Sequence, residues 1–402
     1  MVVMVFLLAL SAIPYAAFSS LGVNVPNTSS NQVQATTGPE AQNDGYFGAA
    51  LAMSGNYVVA GASHNNASGI GGAGQVFITD AGTGAVLFTL ISPNAQTNGR
   101  FGWDVAVSGD YVVVGAFKEN VSGIVRAGHA YVYSASTGKL LSTLTSPNLQ
   151  AYGYFGEAVA VSGNYVVVGA ADENASGFRG AGHVYVFSAS TGALLHTLTS
   201  PNAQHGGVFG YSVAVDGNAV VVGASYEAVA GLADAGNAYL FNANTGALIS
   251  TLTIPNPQAG GYFGTSVAVT GDTVAVGAPW GNASGFAAAG NAYVFDANTG
   301  ALTLSLASPN AQTNGDFGLS VAVGSDTVIV GAPYEASDGM PAAGTAYIFN
   351  ANTGALISTL TSPNNQAGGV YGKVAASGNN VAVGAPGETA SGHRGAGNAY
   401  KY

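Results

Sequence analysis

The chain of 402 residues contains no cysteine, so it forms no disulfide and offers no thiolate to a metal. Charge is nearly as scarce: 7% of residues are Asp, Glu, Lys or Arg, against roughly 25% in ordinary soluble domains. Eight Lys and Arg face nineteen Asp and Glu, for a formal net charge of -11. No basic patch is left to neutralise phosphates, which excludes nucleic acid as a partner. With so few titratable groups, stability is expected to depend weakly on pH. The motifs of nucleophilic and metal-assisted hydrolysis are missing too: there is no G-x-S-x-G, no H-E-x-x-H and no phosphate-cradling G-x-x-x-x-G-K-[ST]. The six His (His64, His129, His183, His196, His205, His393) are scattered. No helical periodicity runs over three turns. These absences point to a non-enzymatic protein without cofactor or metal.

What is present begins with an apolar stretch, "MVVMVFLLALSAIPYAAF", over residues 1–18. It has the character of a signal peptide without its basic n-region, of a short membrane anchor, or of a retained helix in a filament core. Each reading puts the rest of the chain outside the cytoplasm, with membrane contact confined to residues 1–18. Residues 1–22 are taken as this apolar, helical segment, 23–37 as a linker and closing strand, and 38–402 as one folded unit.

That unit repeats. Phe47-Gly48, Phe101-Gly102, Phe155-Gly156, Phe209-Gly210, Phe263-Gly264, Phe317-Gly318 and Tyr371-Gly372 are each 54 residues apart. Every unit reads as four short strands rich in Val, Tyr, Phe and Thr, split by turns of Gly, Asn, Asp and Ser. Four antiparallel strands at this period are the signature of a propeller blade. The expected fold is all-β, a seven-bladed β-propeller of four-stranded antiparallel blades. The seventh unit lacks a fourth strand, and "GPEAQNDGYFG" (Gly38–Gly48) aligns with "SPNAQTNGRFG" (Ser92–Gly102). The register therefore predicts that an N-terminal strand completes the last blade and covers its edge.

The "FG" opening each first strand and the "GAP" closing second strands (Gly277-Ala278-Pro279, Gly331-Ala332-Pro333, Gly384-Ala385-Pro386) resemble the FG-GAP repeat, the blade unit of integrin α-subunit heads and of microbial surface proteins. The resemblance covers about residues 38–402. It implies a propeller on a cell surface. In many family members a calcium loop joins those two strands, and calcium needs six to eight oxygens. Here the connection is only "VSGDY" (Val107–Tyr111) or "VTGDT" (Val269–Thr273). Calcium binding is not carried over, and Asp110, Asp272 and Asp326 read as hairpin residues with Gly and Asn/Asp at positive φ.

Alternation of strands puts the short turns on one face and the long second-to-third-strand loops, with the inter-blade linkers, on the other. Function is sought on the long-loop face. Asn66, Asn120, Asn174 and Asn282 stand there in sequons, and Asn27 in another outside the ring, as glycosylation candidates. Glu119, Glu173, Glu227, Glu335 and Glu388 recur in the same loop, read as local ion pairs or loop-amide contacts, or as a ring of carboxylates for cations. Tyr226, Trp280 and Tyr334 precede that Glu position and could stack on sugars. Together with Glu227 and Glu335 they form the candidate ligand face. Blade symmetry is broken hardly anywhere, whereas an active site needs unlike residues converging once. The leading expectation is an extracellular structural or adhesive module, a subunit of a pilus-like filament or surface layer that self-associates through its N-terminal segment. The second is a secreted lectin for cell-surface glycans.

Overall fold

The computed structural model describes residues 34–402. The apolar segment 1–22 with its expected helix, Asn27 and the start of the linker lie outside the described residues. The described chain is all-β and forms seven four-stranded antiparallel sheets.

Blade two shows why these residues form these strands. Its second strand, Tyr111–Ala116 (YVVVGA), is a β-branched run buried along nearly its whole length, as a central strand covered on both faces requires. The first strand, Val105–Ser108, alternates buried and half-buried residues and lines the propeller axis. The third, His129–Ser134, is wholly buried. The fourth, Leu140–Leu144, is the exposed outer edge. There Tyr133 pairs with Leu140 and Val132 with Ser142, which leaves Leu141 in a bulge. Such bulges disturb the flat edge that would otherwise template pairing with another chain. The seventh sheet comprises Lys373–Ser377, Asn380–Ala385, Asn398–Lys401 and Gln34–Thr37, with Gln34 opposite Lys401 and Thr37 opposite Asn398.

The core lies between blades. Val59, Val76 and Ile78 of the first blade pack on Phe101, Val105 and Tyr131 of the second. The seam between the seventh and first blades is filled by smaller groups: Ala375, Ala382 and Ala399 meet Phe47, Leu51 and Met53.

The repeated glycines set the spacing of the blades. A Cβ on Gly61 would lie 2.1 Å from the Gly102 carbonyl oxygen, and one on Gly115 would lie 2.0 Å from that of Gly156. Each "FG" carbonyl thus presses on the second-strand glycine of the preceding blade, where no side chain fits. The same contact joins Gly384 to Gly48 at 2.1 Å. Phe101 N donates to Ala73 O of the preceding blade, and Phe47 N to Ala396 O, both at 2.9 Å.

The short hairpins differ in detail from the expectation. Gly109 has φ +56° while Asp110 is not left-handed, the pattern of a type II′ turn. Asp110 instead accepts from Ser136 N at 2.7 Å and Ser134 Oγ at 2.9 Å, tying two turns of one blade together. Asp272 accepts from Asn298 Nδ2 at 2.8 Å.

Candidate functional site

The long-loop face is held by two repeated devices. The first is a glutamine clamp. In the linker before blade two, Gln96 Oε1 accepts from Asn120 N at 2.8 Å and its Nε2 donates to Asn120 O at 3.0 Å. Gln42, Gln150, Gln204, Gln258, Gln312 and Gln366 bracket the equivalent loop residue in the same way. The linker Gln is present in all seven copies, and that recurrence was the available signal.

The second device corrects the carboxylate ring. Glu119, Glu173, Glu227, Glu335 and Glu388 are 0% exposed. They do not pair with Arg126, Arg179 or Arg394. Among the described residues the ion-pair contacts are His129–Glu119 and His183–Glu173, both 2.9 Å. Glu173 accepts from the Ser146 hydroxyl and from Tyr185 OH at 2.6 Å. Glu227 accepts from the Ser200 hydroxyl, Tyr239 OH at 2.5 Å and Asn237 Nδ2 at 2.7 Å. Burial raises the pKa of Glu227 and Glu335 above the usual range, and the hydroxyl bonds partly offset it. Glu227 and Glu335 therefore leave the candidate ligand face, because no ligand can reach them. They tie linker, loop and third strand together from inside. The His129, His183, Asn237 and Asn398 position is a slot serving this latch.

The latch changes as a set. In the first blade Asn65 replaces the Glu, Gly38 the Ser and Phe77 the Tyr. Gln75 and Glu40 complete the set there, with Gln75 Nε2 donating to Glu40 at 2.6 Å and Asn65 Nδ2 to Gln75 at 2.9 Å. In the fifth, Gly281 and Ile254 replace the Glu and Ser.

The sequon residues Asn66, Asn120, Asn174 and Asn282 are exposed at equivalent loop positions. Each Oδ1 accepts an amide six residues on: Gly72, Arg126, Gly180 and Ala288, at 2.9–3.2 Å. Ala228 and Ala336 stand there in blades four and six, and the loop keeps the same turn.

Blade symmetry breaks furthest at the positions nearest the axis on the long-loop face. The residue after the "GAx" of each second strand is His64, Lys118, Asp172, Tyr226, Trp280, Tyr334 and Gly387 in turn. The positions just after "FG" vary as widely: Trp103 and Asp104, Glu157, Tyr211, Thr265, Leu319, Lys373. Most of these residues line a recess of about 620 Å³ on the axis, open to the long-loop face. Only the pairing of strands shows that these varied positions meet on one axis.

One side of the recess is aromatic. Tyr334 and Tyr211 line it. Tyr211 leads outward through Tyr226 (6.3 Å between centroids) and Tyr262 (4.9 Å) to Trp280 (4.7 Å). Trp280 Nε1 donates to Asp316 at 3.1 Å, which fixes the indole. Tyr226 and Tyr334 are 40% and 47% exposed. On the other side, Trp103 joins Phe117 at 4.9 Å, and His64 lies between Tyr46 and Trp103.

The charged wall is made by Asp104, Glu157 and Lys373, with Lys118 and Asp172 beside it. Burial, reinforced by Asp172, pushes Glu157 up to about 7 against the pull of Lys118. Burial also raises Asp104, while Lys373 and the Val159 amide, 2.8 Å from Oδ2, pull it back. His64 falls to about 4 through burial and the charges of Arg100 and Lys118. Among the described residues no three His, Asp or Glu converge as a metal cage. The arrangement offers rings for stacking next to hydrogen-bonding carboxylates and ammoniums.

A family model described as FG-GAP repeat matches residues 88–133, 140–187, 195–241, 248–295 and 303–349. No curated protein matches the chain. Each matched stretch starts in or before the fourth strand of one blade and ends in the third strand of the next, one strand out of phase with the sheets. The glycine contacts between blades account physically for both motif halves, and since the matches cover more than half of the sequence, the chain belongs to the FG-GAP repeat family.

Proposed function

We propose that this propeller is an extracellular adhesive module without catalytic activity that binds glycans on its long-loop face. The observation that carries this reading is the concentration of unlike aromatic and charged residues around a single axial recess in an otherwise repetitive scaffold. Sugars present C–H faces to aromatic rings and hydroxyls to carboxylates, so such a recess suits them. The rigid latches and clamps beneath would keep the loops preorganised. In this reading Gln34–Thr37 closes the ring by completing the seventh blade, and residues 1–22 hold the module at a cell surface or in a filament. Glycans on Asn66, Asn120, Asn174 and Asn282 would keep its uncharged surface soluble.

A glycan array on the full chain, with Tyr334→Ala as control, tests the binding. Hits weakened at least tenfold by the substitution support it; an array without hits removes it. Electron microscopy of native material tests the display: filaments or a lattice support assembly, and dispersed monomers lacking residues 1–22 end that part.

A further inference from the structure

The axial recess is blind. Its floor includes Leu51, Val105, Val159, Val213 and Val321, one from each of five first strands, all at most 9% exposed. Side chains two residues apart on a strand share a face. A second apolar layer of Met53, Val107, Val161, Val215, Val269 and Val323 therefore lies beneath the first, again nearly unexposed. Among the described residues nothing threads through the ring. A polymer can offer this recess only an end.

One way out of the recess runs sideways over the face. A shallow groove lined by Tyr152, Tyr154, Asp172, Arg179 and His205 opens over the loop of blade three. Its wall continues the recess wall as a file of rings. Trp103 meets Phe117 at 4.9 Å, Phe117 meets Tyr154 at 5.4 Å, and Tyr154 meets Tyr152 at 6.3 Å. Trp103 lines the recess and Tyr152 is 51% exposed at the outer end. The Arg126 guanidinium lies over the Tyr152 ring at 5.6 Å and steadies it. The charges along this path are mixed: Asp104, Glu157 and Asp172 stand against Lys118, Arg126, Lys373 and Arg179. A strongly acidic or basic polymer would meet its own sign, whereas an uncharged hydroxylated chain meets only donors and acceptors.

We infer that the recess takes the terminal unit of a linear neutral glycan end-on, and that the exposed rings of Trp103 and Tyr152, with half-buried Tyr154 between them and buried Phe117 as backing, carry the units behind it. This mode of binding rests on the glycan-binding reading above. It makes the protein a reader of chain ends rather than of chain interiors.

The experiment is calorimetric titration of the full chain with linear oligosaccharides of one to six units from β-1,4-glucose, β-1,4-N-acetylglucosamine and α-1,4-glucose, plus the series found on the array. In the series that binds, affinity should rise at least tenfold from one to three units and then level off. A bulky group on one chain end should abolish binding, and the same group on the other end should leave it unchanged. Tyr152→Ala should weaken the three-unit ligand three- to tenfold and leave the one-unit ligand alone, whereas Tyr211→Ala should weaken both. Binding that tolerates blocking at either end, or that Tyr152→Ala reduces equally for one and three units, overturns end-on recognition while leaving glycan binding intact. Absence of binding to every probe and on the array overturns both.

Discussion

Glu173 is one of nineteen acidic residues in a chain poor in charge, and it is wholly buried among two hydroxyls and an imidazole. Truncating it leaves those donors without an acceptor, each at a cost of about 1–3 kcal/mol. Glu173→Ala is expected to lower unfolding stability by about 3 kcal/mol, measured by urea denaturation. The first blade shows how to compensate: Ser146→Gly and Tyr185→Phe combined with Glu173→Asn should lose less than the sum of the three single changes. Carboxylates of the recess, its surroundings and the latches govern pH behaviour. Glu157, Asp316, Asp104, Asp172, Glu227 and Glu335 are all raised in the folded state, first of all by burial. A raised carboxyl binds its proton more tightly when folded, so its contribution to stability is full below its unfolded pKa and is lost as pH rises through the folded one. For Glu157 that window runs from about 4.5 to about 7, a contribution on the order of 3 kcal/mol. His64, depressed to about 4, acts in the opposite sense as pH falls below 6.5. The melting temperature should therefore be higher near pH 5 than near pH 8, by a few degrees, and Glu157→Gln should flatten the slope. The sparse charge had suggested little pH dependence; burial of the few groups present is what a count of residues cannot reveal. For the same reason Glu227 looked like a ligand residue in the sequence, since its partners Ser200, Tyr239 and Asn237 lie far from it along the chain.

At the scale of strands and loops the sequence was far more legible. A period of 54 residues with Val-rich runs between Gly turns leaves one arrangement, because each unit alone buries too little. Tyr226, Trp280 and Tyr334 stood out because aromatics are rare on a loop. Asp104, Glu157 and Lys373 did not, because only strand pairing shows that the positions after "FG" converge on one axis. The glycines give the sharpest prediction here. Gly115→Ala places a methyl 2.0 Å from the Gly156 carbonyl, and the backbones must part. It should destabilise by more than about 2 kcal/mol. Gly71→Ala has an ordinary φ and no atom nearer than 3.8 Å, so it should be neutral within about 0.5 kcal/mol. Equal effects of the two in thermal melts would refute the spacing role. Gln150→Ala removes a clamp at the groove, and proteolysis within the loop at Asn174–Gly182 should quicken without a comparable loss of global stability.

Across the whole ring the seam between the seventh and first blades is expected to open first. Its seventh-blade side is packed by alanines, and that blade's outer strand, Gln34–Thr37, is polar. Amide exchange should be fastest among strands in Lys373–Lys401 and Gln34–Thr37, and slowest in strands such as Tyr165–Ala170; uniform exchange would contradict a preferred opening point. The recess draws its wall from all seven blades, so no fragment contains it and no opened ring keeps it. Occupancy and closure are then linked quantities. A ligand held at a hundred times its Kd would add about 2.7 kcal/mol to the closed state, and the same molecule that the protein grips would act as the clasp of the ring.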